Sequence, residues 1–316
     1  MLRFGCALGL IVSVLQSSVA YSVPGDVLFE DDFETGSLSD YTLVEEGGFP
    51  DESRITYGFD LSRLNENFSG EGLLMETDDA ITAFVNGVAI PAGAVVSVRF
   101  DAFARAVSGG STEYLTAGVG GPPTTPGAFA PFDANARAVP TGDGVFIAAS
   151  TDSGFRAAGD FAIVENNAAS SGRLSFMDAA GNADSGIPFS TILPRELDRF
   201  GDGILENRQV EMEVLTDGER LQWLIDGFLL SDVTATVSRR DGAIGIGIND
   251  PFRSFNNDAD GLGTGTGTAF AIDNLRIVEA DGFVVVPEPG TLALAGLLLV
   301  GGLRRGNAGR AGGRAG

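Results

Sequence analysis

Between residues 23 and 285, apolar and polar side chains alternate in short runs cut by Gly, Asp and Asn, and no convincing amphipathic helix of ten residues appears. Alternation with a period of two is the pattern of a strand with one buried face. In "VVSVRFDAFARAV" (95–107), Val96, Val98 and Phe100 fall on one side and Ser97, Arg99 and Asp101 on the other. The strongest unit is "RQVEMEVLTDGERLQWLIDGFLL" (208–230). There Val210, Met212 and Val214 face one way, Glu211 and Glu213 the other, and Asp217-Gly218 supplies a tight turn. Leu221, Trp223 and Ile225 then resume the alternation, which places Trp223 in the core, before Asp226-Gly227 breaks the chain again. "GAIGIGI" (242–248) and "TAFAIDNLRIVEA" (268–280) read as two further strands. "LPRELDRFGDGILEN" (193–207) is the best helical candidate and is short.

About 260 residues of short strands without a helix layer predict an all-β fold, a two-sheet antiparallel β-sandwich of the jelly-roll kind. The Pro-, Gly- and Ala-rich stretch at 116–144 is expected to be a long loop inside that sandwich, because the strands before it are too few to close a domain alone. The expected organisation is a signal segment at 1–21, a sandwich at 22–285 and a separate tail at 286–316.

Charge narrows the partners. The chain has 43 acidic and 20 basic residues, a net charge of -23, and every basic residue is arginine. Five of those arginines (Arg3, Arg304, Arg305, Arg310 and Arg314) sit near the ends. The body would repel nucleic acid and anionic head groups, so cations and neutral sugars are the better partners. "MLRFGCALGLIVSVLQSSVAYS" carries one arginine, an apolar run and a small-residue ending at Ser18-Val19-Ala20, the layout of a cleaved export signal read by the secretion translocon. Cleavage there would remove Cys6, the single cysteine, and leave a sandwich that stands on its core without a disulfide.

The other end reads "VPEPGTLALAGLLLVGGLRRGNAGRAGGRAG" (286–316). Gly290 to Leu303 is an apolar run that as a helix would be about 20 Å long, short against roughly 30 Å of hydrocarbon. Arg304 and Arg305 would hold its end on the cytoplasmic side. A short C-terminal apolar helix with a transient hold on the membrane is therefore expected. Pro287, Glu288 and Pro289, followed by the apolar run and the arginines, resemble the PEP-CTERM sorting signal of bacteria with exopolysaccharide-rich surfaces. That resemblance implies recognition of Pro-Glu-Pro by a membrane-embedded exosortase, processing of the tail, and delivery to the cell envelope, cell surface or extracellular matrix. It covers about residues 286–305 and speaks of destination, not activity.

A second resemblance concerns the body. "LFEDDFETGSLSDYTLVEEG" near the start is similar to the opening strand of concanavalin A-like lectin/glucanase jelly rolls, and "VEMEVLTDGERLQWLIDGFLL" with "AFAIDNLRIVE" to their closing half. The resemblance implies that the first and last strands pair. Without histidine or lysine, and with no cysteine left after cleavage, nucleophilic triads, Schiff bases and His/Cys zinc sites have no residues to build on. Carboxylates alone remain for acid–base work, which means glycoside cleavage. In laminarinase-like members of the class the catalytic strand reads Glu-x-Asp-x-(x)-Glu. Glu30, Asp32 and Glu34 have that spacing, but Asp31 replaces the usual apolar residue and the stretch lies on the first strand. The plainer reading is a solvated face of acids on an edge strand, so no catalytic residue is assigned.

Calcium is the better site expectation. "NNDADG" (256–261) sets Asn256, Asp258 and Asp260 at alternate positions before Gly261, bringing three oxygen ligands to one point. Position 267 is Gly where an EF-hand needs Glu, so this is not an EF-hand. Three functions stay open: a structural or glycan-binding protein of the exopolysaccharide layer, a carboxylate-dependent polysaccharide hydrolase, and an inert or adhesive surface module tuned by calcium.

Overall fold

The structure is a computed structural model and describes residues 25–45, 54–64, 66–76, 80–105, 114–120, 129–130, 139–140, 144–150, 161–166, 171–177, 209–249 and 269–285. The chain divides into two compact units, Met1–Phe283 and Val284–Gly316, and every strand belongs to the first. In chain order the strands are β1 (Val27–Asp31), β2 (Tyr41–Glu45), β3 (Arg54–Asp60), β4 (Glu71–Glu76), β5 (Ala80–Val85), β6 (Val95–Arg105), β7 (Tyr114–Gly120), β8 (Phe129–Ala130), β9 (Val139–Pro140), β10 (Gly144–Ser150), β11 (Phe161–Asn166), β12 (Ser171–Met177), β13 (Gln209–Thr216), β14 (Arg220–Ile225), β15 (Phe228–Thr234), β16 (Ile244–Asn249) and β17 (Ala269–Ala280).

They form the expected antiparallel sandwich. One sheet has eight strands in the order β15-β14-β13-β6-β17-β4-β3, with β1 added against β17, and the other has seven in the order β12-β11-β10-β7-β16-β5-β2. The first and last strands do pair, with Val27 opposite Val278 and Asp31 opposite Leu275. The alternation read from the sequence sets the core. Val96, Val98, Phe100, Val210, Met212, Val214, Leu221, Trp223 and Ile225 of one sheet share a single buried cluster with Leu115, Ala117, Val119, Ile244, Ile246 and Ile248 of the other. Trp223 is 1% exposed. Each such large side chain contributes about 1.5–3 kcal/mol on burial.

The two predicted turns are present. Asp226 (φ 48) and Gly227 (φ 76) are both left-handed, as a two-residue I′ hairpin turn requires. Gly218 (φ +84) lies so close to the chain after β15 that a Cβ there would meet the Arg240 nitrogen at 2.6 Å.

The stretch at 116–144 departs from expectation at its start. Residues 116–120 are the end of β7, which pairs with β10 from Gly120↔Gly144 to Tyr114↔Ser150. The glycines there are strand glycines, so composition alone misplaced them. The rest of the stretch joins β7 to β10, two neighbours in one sheet. The signal segment at 1–21, the helical candidate at 193–207, the calcium loop at 256–261 and the tail from 286 lie outside the described residues, and so do Pro287, Glu288, Pro289, Arg304 and Arg305. Among the described residues no helix is long and apolar enough to cross a membrane.

Candidate functional site

The twelve residues of β17 change neighbours midway along one edge. Phe270, Ala271 and Ile272 pair with Met75, Leu74 and Leu73 of β4, whereas Leu275 to Val278 pair with β1. Pairing with β6 along the other edge shifts register between Asp273 and Arg276. Asn274 takes up the irregularity at φ 52, a left-handed conformation that Asn tolerates better than most residues. The ends of β1 and β4 therefore meet against β17, and polar side chains collect at this seam.

Register lines up three carboxylates there. Asp101 of β6 lies opposite Asp273 on one side and Glu211 of β13 on the other. Like charges directly opposite on neighbouring strands are destabilising. Asn274 Nδ2 relieves part of this by donating to Asp101 Oδ2 at 2.8 Å. Glu34 enters from the loop after β1 and accepts a hydrogen bond from the Glu71 N–H at 3.0 Å. Gly70, beside Glu34 Oε1 and Asp273 Oδ2, has φ +94, a conformation that side-chain-bearing residues rarely adopt. The next row is neutralised: Arg99 meets Glu213 at 3.0 Å and Arg276 meets Glu30 at 3.4 Å. Arg99 reaches back toward Glu211 at 3.8 Å.

The acid row shows the consequence. Burial, together with the charges of Asp101, Glu34 and Asp32, pushes the Asp273 carboxyl up to about 6, against the opposing effect of the Asn274 N–H. Burial also raises Glu211; Arg99 opposes, and Glu213, Asp101 and Asp226 add to the rise. The ordinary Asp273 value is near 3.8, so the folded chain holds this proton more tightly than the unfolded chain. The contribution is present below about pH 4 and falls away as pH rises through about 6. For a half-buried group screened by solvent it amounts to on the order of 1 kcal/mol. Asp273→Asn is expected to raise the unfolding temperature at pH 7 and to gain little at pH 4. Thermal unfolding of parent and variant at both pH values checks this, and an equal gain at the two would show that the row does not bind the proton.

Beside the seam lies a buried carboxylate. Asp31 Oδ1 accepts hydrogen bonds from the Tyr57 hydroxyl at 2.6 Å and the Phe33 N–H at 2.8 Å, and Oδ2 accepts from the Tyr41 hydroxyl at 2.8 Å. Burial, then the hydrogen bond to Asp31 and its negative charge, raises both tyrosine hydroxyls, so each remains a donor. Phe33, fully buried at φ 56, stacks against Tyr41 at 6.4 Å and meets Tyr57 edge-on at 5.4 Å. A Cβ on Gly36 would lie 2.0 Å from the Tyr57 oxygen, so glycine is what lets the hydroxyl in. Outside this knot is a cleft of about 280 Å³, lined by Glu30, Asp31, Asp32 and Asp40 with Thr35, Gly36 and the Phe29 ring.

The acids read as one strand face are thus separated. β1 ends at Asp31, so Glu30 is on the strand, while Asp32 and Glu34 lie in the following loop, where Asp32 Oδ1 accepts from the Glu34 N–H at 3.1 Å. The turn at Phe33 ends the alternation that the spacing assumed. Asp101, Asp273, Tyr41 and Tyr57 were not marked by spacing, because register between distant strands brings them in. One trace was present: Asp273-Asn274 interrupts the apolar alternation of the last strand.

Comparison with known proteins adds the tail. Residues 285–306 match the PEP-CTERM protein-sorting motif. No curated protein matches the chain. Among solved structures, a Bacillus subtilis protein with a galectin-like fold is similar at 11% identity, over 82% of this chain and 99% of that one, with a TM-score of 0.46. A cellulose-induced protein matches at 12% identity over 82% and 100%, TM-score 0.44, and a carbohydrate-binding module of Bacillus subtilis at 11% over 76% and 95%, TM-score 0.40. A sialidase matches at 11% identity and TM-score 0.40 over 82% of this chain, which spans only 19% of that enzyme's length. None of these likenesses says what this chain binds. The tail speaks more directly: residues 285–306 carry the PEP-CTERM motif, which marks proteins exported and anchored at or sorted to the cell surface.

Proposed function

We propose that the protein is a non-catalytic component of the cell surface or matrix whose sandwich binds neutral or amino-bearing glycans of the exopolysaccharide layer. The observation that carries this reading is the cleft at the end of β1. It is lined by four carboxylates and a hydroxyl; Asp31 is filled by its own hydrogen bonds and Glu30 is paired with Arg276, so Asp32 and Asp40 are the acceptors it turns to a ligand. Paired sugar hydroxyls or an ammonium group satisfy such acceptors, whereas a uronic-acid polymer would be repelled. Its volume of about 280 Å³ lies just below the range of small-ligand sites, roughly 300–1,000 Å³, and suits no more than one sugar unit. Calcium at Asn256, Asp258 and Asp260 belongs to this reading as a stiffener of the loop before β17.

The test is retention of the exported protein on an immobilised neutral β-glucan, an amino glycan and a uronate polymer, with calcium and with chelator. The neutral and amino glycans are expected to bind, Asp32→Asn with Asp40→Asn to weaken them about tenfold, and chelator to lower thermal stability while leaving affinity unchanged. Retention on uronate alone, or on none, would overturn the reading. One feature favours the hydrolase instead: Asp273, raised by burial and by the charges of Asp101 and Glu34, suits a general acid. Reducing-sugar release in the same incubations, lost in Asp273→Asn, would replace binding by catalysis.

A further inference from the structure

The two acceptors of the cleft are held from different sheets. Asp32 follows β1, and its loop is tied to β4 through Glu34, which accepts from the Glu71 N–H. Asp40 ends a short 3-10 turn (Leu38–Asp40) that leads into β2, and its side chain is exposed. Asn86, just beyond β5, braces that turn. Tyr41 pairs with Val85, and the ladder runs one step further, where the Asn86 N–H donates to the Asp40 carbonyl at 2.9 Å. The side chain brackets this step: Nδ2 donates to the Ser39 carbonyl at 3.1 Å, and Oδ1 accepts from the Thr42 hydroxyl at 2.6 Å. A carbonyl can only accept, so the Ser39 contact fixes which end of the amide is nitrogen. One residue thereby bonds to the chain before, at and after Asp40. Asn86 is exposed, so this carboxamide fills no core; Val85 and Ile90 on either side are buried, and Gly87 makes the turn between them at φ +74.

We propose that Asn86 is a positioning residue for the cleft: it fixes Asp40, and through Asp40 it sets how tightly an amino-bearing sugar is held. This rests on the reading of the cleft as a glycan site. Asn86 lines no part of the cleft that touches the sugar; it acts by removing freedom from the wall that does. A wall that must be ordered on binding costs about two- to tenfold in affinity. The loss falls unequally on the two ligand classes, because a bond from an ammonium to the Asp40 carboxylate is about twice as strong as one from a neutral hydroxyl pair.

The test measures binding of the exported protein to a soluble glucosamine oligomer and a soluble β-glucan oligomer. Hydrogen exchange at the Asp40 and Tyr41 amides is read alongside, since these donate to the Ser37 and Leu38 carbonyls within the braced turn and need no sugar. Asn86→Ala is expected to speed that exchange, and to weaken the glucosamine oligomer about fivefold and the β-glucan about twofold. Thr42→Val, which removes the Oδ1 bond, is expected to give a smaller loss in the same order, and it stands in for Asn86→Ala should that variant fail to fold. In an Asp40→Ala background Asn86→Ala is expected to add nothing, because the wall has lost the carboxylate that Asn86 positions. Unchanged exchange, faster exchange with unchanged affinity, or the same loss with and without Asp40 would overturn the positioning role and leave the cleft a glycan site. A parent that binds neither oligomer would overturn both.

Discussion

Replacing Asp31 by alanine is expected to lower the unfolding free energy by about 3–5 kcal/mol. Each hydrogen bond to a charged acceptor contributes about 1.5–3 kcal/mol, and Asp31 accepts three. Truncation also strands the Tyr41 hydroxyl in a site where that residue is 6% exposed. The loss is spread over both sheets, because Asp31 and Tyr57 belong to the eight-stranded sheet and Tyr41 to the seven-stranded one. For a domain of this size each kcal/mol moves the midpoint by about 2–4 °C, so the variant should melt roughly 10 °C below the parent. Asp31→Asn keeps the shape and one acceptor and should lose less. Tyr41→Phe alone should cost about 1–2 kcal/mol and Tyr57→Phe, which is more exposed, about 1 kcal/mol. Combined with Asp31→Ala, Tyr41→Phe should cost little further, since its hydroxyl has already lost its partner. An Asp31→Ala variant that melts within about 2 °C of the parent, no more than the shift expected for 1 kcal/mol, would mean that solvent replaces the carboxylate at this site.

The parts that were legible in the sequence share one property: neighbours along the chain decide them. Val96, Val98 and Phe100, or Leu221, Trp223 and Ile225, declare a face by alternation, and Asp226-Gly227 declares a turn by its tolerance of positive φ. The pairing of first and last strands came from likeness to a fold, and the register bears it out. The acid row lacks such a local cue. Glu211, Asp101 and Asp273 are scattered along the chain and meet because β13, β6 and β17 align in one register. Asp31 misled for a different reason. It stands where the pattern wants an apolar residue, and it is indeed buried, but two tyrosine hydroxyls and a backbone N–H make that burial tolerable. A polar residue at an inward position is thus a sign of a partner elsewhere in the chain, and the chain alone does not say which.

Glu165 poses the same question, and its removal is the second large effect expected. It is 3% exposed on β11, and its carboxylate gathers the turn that comes after β15 in the opposite sheet. Thr236 N–H lies 3.0 Å from each oxygen, Val237 N–H is 3.0 Å from Oε1, and the Thr236 hydroxyl donates to Oε2 at 2.6 Å. One side chain thereby satisfies two successive backbone donors and a hydroxyl, and it ties the seven-stranded sheet to the eight-stranded one. Glu165→Ala removes the shared acceptor of these donors and is expected to cost about 3 kcal/mol. Glu165→Gln keeps one acceptor but turns an NH2 group toward a backbone N–H, so about 2 kcal/mol should still be lost. Thr236→Val removes the hydroxyl bond to Glu165 and should cost about 1 kcal/mol. Hydrogen exchange separates a local tether from general weakening. In Glu165→Ala the Thr236 and Val237 amides should exchange roughly a hundredfold faster, while amides of β6 and β13 change only as far as global stability does. If those two amides keep their protection, the turn is held by its own packing and Glu165 is not the tether.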